Sequence, residues 1–337
     1  MLGRSVGIVG VGSYLPEKVI TNADLEKIVD TNDEWIVSRT GISQRHQADE
    51  DTALSDLCIE AAKLALADAK VKPEDLDLII VATVTADYAF PSASCLVQGK
   101  LGATKAAAFD LGAGCSGFMY AIATGSQFIA NGVYDNVLVI GADILTKITD
   151  YTDRGTCILF GDGAGAAVLQ PVATGEGMLS FVLGSNGENG ELLIQPAGGS
   201  RRPASVESVE ARQHYIKMAG NEVYKFAVRT MGEAAVESLV KAGLQESDVD
   251  FLVPHQANIR IVDAAVKRLG IDRDKVIVNL DRCGNMSAAS IPVALDEAVK
   301  TGKIHKGDVV VMVGFGAGLT YGACTMRWAR NGEETNV

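Results

Sequence analysis

Apolar residues in this chain alternate between two rhythms, helix-spaced stripes and short unbroken apolar runs. The segment AKLALADAKVKPEDLDLIIVAT (residues 62–83) predicts an amphipathic helix, a polar turn and a buried strand. The same pattern returns in AVESLVKAGLQESDVDFLVPHQ (235–256), where Asp248 and Asp250 follow Asp75 and Asp77 by 173 residues. DNVLVIG (135–141) and DVVVMVG (308–314) recur at that same spacing of 173. Between these pairs, KAAAFDLGAGC ending at Cys115 matches KVIVNLDRCGN ending at Asn285, and each leads into a helix that closes on Asn131-Gly132 or Thr301-Gly302. Three matches in one order predict a duplicated α/β fold with mixed sheets, its halves spanning residues 1–174 and 175–337.

No Pro- or Ser-rich linker separates the halves, so they are expected to share an interface, and sites form where strands end at such junctions. The one long irregular stretch, GENGELLIQPAGGSRRPASVESVEARQHY (187–215), reads as a strand followed by an exposed loop.

Composition narrows the function. With 337 residues, 47% of them hydrophobic, the chain can bury a large core. Its N-terminal stretch lacks the pattern of a secretory signal, and no run approaches the ~18 apolar residues of a membrane span. A soluble, cytoplasmic protein with no membrane partner is expected. Six cysteines are scattered without a CxxC pair or a histidine at ligand spacing, which argues against disulfides and against a metal site. A net charge of −12 opposes nucleic-acid binding, so any anionic ligand has to meet a local basic patch.

Cys115 carries the sharpest chemical signal. It stands where an apolar run ends in glycines and a helix pattern begins, and a helix start favours the thiolate through unpaired N–H groups and the dipole. The repeat sets Asn285 at the equivalent position of the second half and places His255, at the end of the strand FLVPHQ, toward the same interface. Asn285 can donate a hydrogen bond without competing for the thiol proton; it also suits a helix N-cap. The turn from Phe315 through Gly316 and Ala317 to Gly318 offers a backbone N–H that, with that of Cys115, would make an oxyanion hole; a plain hairpin turn is the simpler reading. GIVGVGSYLP lacks the last glycine of a dinucleotide fingerprint, and GDGAGAAV lacks the Lys-Ser/Thr of a phosphate loop, so neither is read as a nucleotide site.

GAGCSGF, VPHQANIR, GNMSAAS and VGFGAG, together with DEWIVSRTGISQRH (33–46) and AFPSASCLVQ (89–98), resemble the β-ketoacyl-acyl carrier protein synthase III family of thiolase-like condensing enzymes over residues 6 to 328. That resemblance implies a five-layered α/β/α/β/α fold, a homodimer and a catalytic set of Cys115, His255 and Asn285. It further implies an acyltransferase that needs no cofactor, condensing an acyl-CoA primer with malonyl-acyl carrier protein to initiate fatty acid biosynthesis. Coenzyme A contacts carry over to Trp35, Arg39, Arg154 and Asn258, with stacking and phosphate pairing as the physical rationale; Trp35 also fits a core position.

Phe90 is implied as an acyl-pocket residue contributed across the dimer. The carrier-protein surface is assigned to Gln256, Ala257, Asn258, Ile259 and Arg260, with Lys267 and Arg268 one face further along the same helix. Ala317 and Met286 depart from the family pattern, which commonly has glycine and threonine there. Two other readings are a related CoA-primed enzyme making a specialised acyl or polyketide product and a catalytically silent partner subunit.

Overall fold

The computed structural model describes residues 3–330. From the N-terminus come β1 (Val6–Tyr14), then a small antiparallel pair, β2 (Val19–Thr21) and β3 (Gln44–His46), enclosing α1 (Asn22–Leu25) and α2 (Asp33–Thr40). There follow α3 (Leu54–Ala69), β4 (Leu78–Ala82), α4 (Ala93–Leu101), β5 (Ala107–Leu111), α5 (Gly117–Ala130), β6 (Val137–Ile144) and β7 (Asp162–Pro171). After β8 (Gly177–Ser185) the chain makes an excursion through β9 (Leu193–Ile194), α6 (Val206–Glu210) and β10 (Lys217–Met218). It closes with α7 (Gly220–Lys241), β11 (Phe251–Pro254), α8 (Ile259–Leu269), α9 (Leu280–Cys283), α10 (Ser290–Lys300), β12 (Val309–Gly316) and β13 (Thr320–Arg327).

The two large sheets run in the orders β1-β7-β6-β4-β5 and β8-β13-β12-β11. Taken position by position, their parallel and antiparallel pairings agree: β6 with β4 and β12 with β11 are parallel, while the pairs toward β1 and β8 are antiparallel. One predicted strand is missing. The counterpart of β5, within KVIVN, survives only as a single parallel bridge from Leu252 to Val276. A side chain replaces the ladder there: the Gln256 amide donates to the Ile277 carbonyl and accepts the Asn279 N–H.

Five layers result. Between the sheets lie α5 and α10, whose Phe118, Met119, Ile122, Ile291 and Leu295 pack against Ile80 and Val139 of one sheet and Val310 and Met312 of the other. A helix covered on both sides has to be apolar nearly all round, and α5 is. On the outer faces α3 and α4 cover the first sheet, and α7 and α8 the second. Each large side chain wholly buried in these layers contributes about 1.5–3 kcal/mol.

The glycines set aside as nucleotide motifs serve this packing. A Cβ at Gly10 or Gly12 would fall 2.4 or 2.3 Å from backbone atoms of α3, so these positions let helix and strand touch. The strand read in 187–215 is Leu193–Ile194, paired with Lys217–Met218, and a short helix interrupts the loop that follows it. Among the described residues no helix is long and apolar enough to cross a membrane, and no group of three or more His, Cys, Asp or Glu could hold a metal.

Candidate active site

The chain after β5 has to turn sharply into α5, and it does so through a 3-10 turn, Gly114–Ser116. Cys115 is the middle residue of that turn, and α5 begins at Gly117, two residues beyond the start at the cysteine predicted from sequence. Opposite it comes the tip of the β12–β13 hairpin. A Cβ on Gly316 would lie 2.3 Å from the Cys115 nitrogen, and one on Gly114 would lie 2.8 Å from the Ala317 nitrogen. Glycine at both places is what allows the two backbones to meet. The Thr320 hydroxyl donates to the Ala113 carbonyl at 2.7 Å and stands 2.6 Å from the Ser116 hydroxyl, which fastens hairpin to turn.

Cys115 is 9% exposed. Burial pushes the Cys115 thiol up to about 11, outweighing the nearby Ser287 hydroxyl and the N–H groups of Cys115 and Ala317, which favour the thiolate. Burial therefore opposes the lowered thiol expected from the helix start. Ala317 is absent from the positive-φ residues, so alanine supplies the N–H without strain.

His255 follows β11 directly and is 1% exposed, its backbone N–H held by the Val313 carbonyl at 2.8 Å. The imidazole meets Phe315 edge-on, with centroids 5.6 Å apart. Neither ring nitrogen has a partner among the described residues, and burial pushes the group down to about 3, so the ring is neutral. Asn285 is held by strand-like bonds, its N–H to the Leu159 carbonyl and its C=O from the Gly161 N–H. The Asn285 Oδ1 accepts the Ser287 N–H at 2.9 Å, which leaves Nδ2 to donate into the site. Its capping role is thus to the 3-10 turn Ser287–Ala289 rather than to α10 itself.

Two cavities meet at Cys115. One, of about 350 Å³, is apolar and lined by Val84, Leu145, Ile148, Phe160, Leu193, Ile194 and Ile216. The other, of about 580 Å³, is more polar and brings together Trp35, Arg39, Arg154, His255, Asn258, Arg260 and Asn285 with Cys115, Phe315 and Gly316. Trp35 is half-buried at this channel rather than in the core, with the guanidiniums of Arg39 and Arg154 at 4.7 and 5.2 Å from its ring centre. Asn258 is occupied internally: Oδ1 accepts the Arg260 N–H and Nδ2 donates to the Arg39 carbonyl, tying α8 to α2.

The residues read as a carrier-protein surface divide. Arg260, Lys267 and Arg268 are exposed on α8, and Ile259 is half-buried against Gly41. Gln256 is fully buried with its amide engaged by Pro254, Ile277 and Asn279, so it offers nothing to a partner, and Ala257 lines the channel beneath the surface. Phe90 is 87% exposed and does not line the apolar cavity of its own chain.

Two residues escaped the sequence reading. Ser287, at φ +49 and buried, lines the apolar cavity with Cys115, and its hydroxyl acts to lower both the Cys115 thiol and the Asp143 carboxyl. Asp143 is a buried carboxylate at the end of β6 that accepts from the Thr83 hydroxyl, the Val84 N–H, the Thr85 hydroxyl and the Ala288 N–H. An aspartate closing an apolar strand was the only trace of it in the sequence.

Comparison with known proteins agrees with this geometry. Family models for 3-oxoacyl-[acyl-carrier-protein (ACP)] synthase III match residues 109–187 and, for its C-terminal part, residues 239–328. A beta-ketoacyl-[acyl-carrier-protein] synthase III of Desulfitobacterium hafniense is 64% identical over 97% of this chain and 99% of its own length. The 3-oxoacyl-[acyl-carrier-protein] synthase III of Aquifex aeolicus superposes with a TM-score of 0.89 at 47% identity, covering 96% of this chain and all of the other. A priming β-ketosynthase of the R1128 polyketide pathway fits equally well in shape, TM-score 0.89, at 35% identity over 98% of each chain. Full-length likeness at this level of identity establishes that the chain belongs to the β-ketoacyl-[acyl-carrier-protein] synthase III family of condensing acyltransferases.

Proposed function

We propose that this enzyme initiates fatty acid synthesis by joining an acyl-CoA primer to malonyl-acyl carrier protein through an acyl group held on Cys115. The observation that carries the reading is the position of Cys115 at the junction of an apolar cavity and a polar channel, with the unpartnered His255 ring and the Asn285 amide alongside.

The Cys115 sulfur attacks the primer's thioester carbon, and coenzyme A leaves as its thiol, carrying the proton. The acyl chain lies in the apolar cavity while the nucleotide end follows Trp35, Arg39 and Arg154 out of the channel. Malonyl thioester then enters by the same channel and loses carbon dioxide; the electron pair passes to the thioester enolate, whose oxygen takes hydrogen bonds from the neutral His255 and from Asn285 Nδ2. The enolate carbon attacks the acyl-Cys carbonyl. Its developing oxyanion is held by the N–H groups of Cys115 and Ala317, an arrangement in which each donor contributes about 3 kcal/mol. Collapse expels the Cys115 thiolate, which takes a proton from water to restore the thiol, and frees the β-ketoacyl product.

Arg260, Lys267 and Arg268 form a local basic face on a chain of net charge −12, which supports docking of an acidic carrier protein there. Exposed Phe90 supports a homodimer in which that ring is covered by the second copy. Strand β7 closes at Pro171 and β8 opens at Gly177, which supports the division near residue 174.

Incubation with acetyl-CoA should add one acyl group to Cys115 by intact-protein and peptide mass spectrometry, and subsequent malonyl-acyl carrier protein should remove it as acetoacetyl-carrier protein. The Cys115→Ala variant should do neither. Product formation from malonyl-CoA in preference to the carrier-protein substrate would transfer the enzyme to the specialised-product reading.

A further inference from the structure

The apolar cavity has a fixed side and a borrowed side. Val84, Leu145, Ile148 and Phe160 belong to the body of the fold, whereas Leu193, Ile194, Gln195 and Ile216 come from the excursion between β8 and α7. That excursion has little regular structure of its own, only the two-residue strands β9 and β10, the five-residue α6 and a 3-10 segment, Gly187–Leu192. Its height above Cys115 therefore depends on a few ties to the body.

The strongest tie is a carboxylate. Asp150 is 3% exposed and lies two residues beyond Ile148 of the cavity's fixed side. Its Oδ1 accepts from Arg212 Nη2 at 2.5 Å, and Arg212 Nε stands 3.0 Å from Oδ2; Lys217 Nζ adds a bond to Oδ2 at 3.1 Å. Thr152 fixes the carboxylate from behind through its N–H and hydroxyl. Arg212 precedes Ile216 by four residues and Lys217 follows it directly, so the two cations grip the chain on either side of the cavity residue. One backbone bond, Ile216 N–H to the Ile148 carbonyl at 2.9 Å, joins the same two segments. Arg212 holds a left-handed φ of +55, which a non-glycine residue keeps only when its surroundings enforce it. Paired Arg and Lys donors on a nearly buried carboxylate supply that enforcement.

We propose that the Asp150–Arg212–Lys217 clamp is a specificity-determining positioning element: by fixing Ile216 and Leu193 over the apolar cavity it limits the length of acyl chain that Cys115 accepts. The inference rests on the reading of that cavity as the acyl site. With the clamp closed, a volume of about 350 Å³ falls at the small end of ligand pockets, suited to short primers. Opening it would admit longer chains and loosen the hold on short ones.

Arg212 and Lys217 keep their side chains about two-fifths exposed, so both can be replaced with little risk to folding. The measurement is kcat/KM for acetyl-, isobutyryl- and octanoyl-CoA in Arg212→Ala, Lys217→Ala, Arg212→Lys and Asp150→Asn, each checked by thermal melting. Arg212→Ala and Asp150→Asn should raise the octanoyl-to-acetyl ratio about tenfold, the scale set by a few methylene contacts in an apolar pocket. Lys217→Ala should raise it less, and Arg212→Lys should restore part of the selectivity. Arg4→Ala, which breaks the Arg4–Asp135 pair outside both cavities, should leave the ratio unchanged. An unchanged ratio in both Arg212→Ala and Asp150→Asn, with Cys115 still acylated, would overturn the clamp alone. Failure of every acyl-CoA to label wild-type Cys115 would instead overturn the functional reading beneath it.

Discussion

The two cavities that meet at Cys115 differ in kind. The apolar one is walled by aliphatic side chains and Phe160, with few polar groups to satisfy an ordered ligand; the channel shares Phe160 and Leu193 with it and adds guanidiniums, amides, an imidazole and an indole to an otherwise apolar wall. A thioester laid across the cysteine would be divided at its carbonyl carbon, hydrocarbon to one side and phosphate-bearing carrier to the other. On the proposed reading the difference lets one thiol serve two half-reactions: the apolar side holds the acyl group while the occupant of the polar side is exchanged. It also locates the donors, since His255 and Asn285 face the channel, where the second substrate arrives, and not the apolar cavity.

The largest break in this division should come from removing those donors. Replacing His255 or Asn285 with Ala should lower malonyl decarboxylation by about 10²–10³, the loss expected for one oxyanion donor. Acylation of Cys115 by radiolabelled acetyl-CoA should persist in both variants. His255 is already neutral in its buried site, so it acts as a hydrogen-bond donor across ordinary pH and the decarboxylation rate should show no imidazole titration between about pH 5 and 8. If His255→Ala instead abolished labelling and spared decarboxylation, the histidine would belong to the nucleophile as its base.

A smaller effect is expected along the channel. Trp35 and Arg39 lie on α2, whose N-terminus is capped by Asn32 and whose end is anchored to α8 by Asn258, so both side chains project from a fixed element. Arg39→Ala should raise KM for acetyl-CoA about tenfold, the value of one charge-assisted hydrogen bond of about 1.4 kcal/mol or more, while kcat stays close to wild type. Trp35→Ala should act in the same direction. A fall in kcat with unchanged KM would move these residues from the carrier side of the comparison to the chemistry.

Much of this division was legible in the sequence because the duplication writes it twice. Matching Cys115 with Asn285 and the end of β11 with that of β4 predicts that Cys115, His255 and Asn285 share one interface, and all three line the channel. What stayed hidden depends on partners far along the chain. Gln256 looks like part of an exposed HQANIR motif, but its amide completes a strand ladder inside the second sheet. The excursion that roofs the apolar cavity has no periodicity to betray its fold, and Asp150 reveals its role only once Arg212 and Lys217, more than sixty residues on, close around it. The thiol's acidity was misjudged for a related reason: a helix start is visible in sequence, and the depth of burial that opposes it is not.

Ser287 sits beside the meeting of the two sides, lining the apolar cavity with Cys115 while Asn285, two residues before it, lines the channel. Its hydroxyl favours the Cys115 thiolate and the ionised Asp143, and its left-handed backbone is held by the Asn285 Oδ1 and by the Ala288 N–H on the same aspartate. Ser287→Ala removes one hydroxyl that can donate to the thiolate and leaves the N–H groups of Ala317 and Cys115 in place, so the expected loss is the smallest of the set, about three- to tenfold in acylation rate. The sign of the pH effect separates this role from mere packing. A hydrogen bond to the charged form lowers a thiol's pKa, so its removal should carry the thiol further above about 11, and the rate of Cys115 alkylation by iodoacetamide should fall at every pH below that value while keeping its tenfold rise per pH unit. An alkylation profile superimposable on wild type, with acylation nevertheless slowed, would assign Ser287 to the shape of the acyl cavity and leave the thiolate to the backbone donors alone.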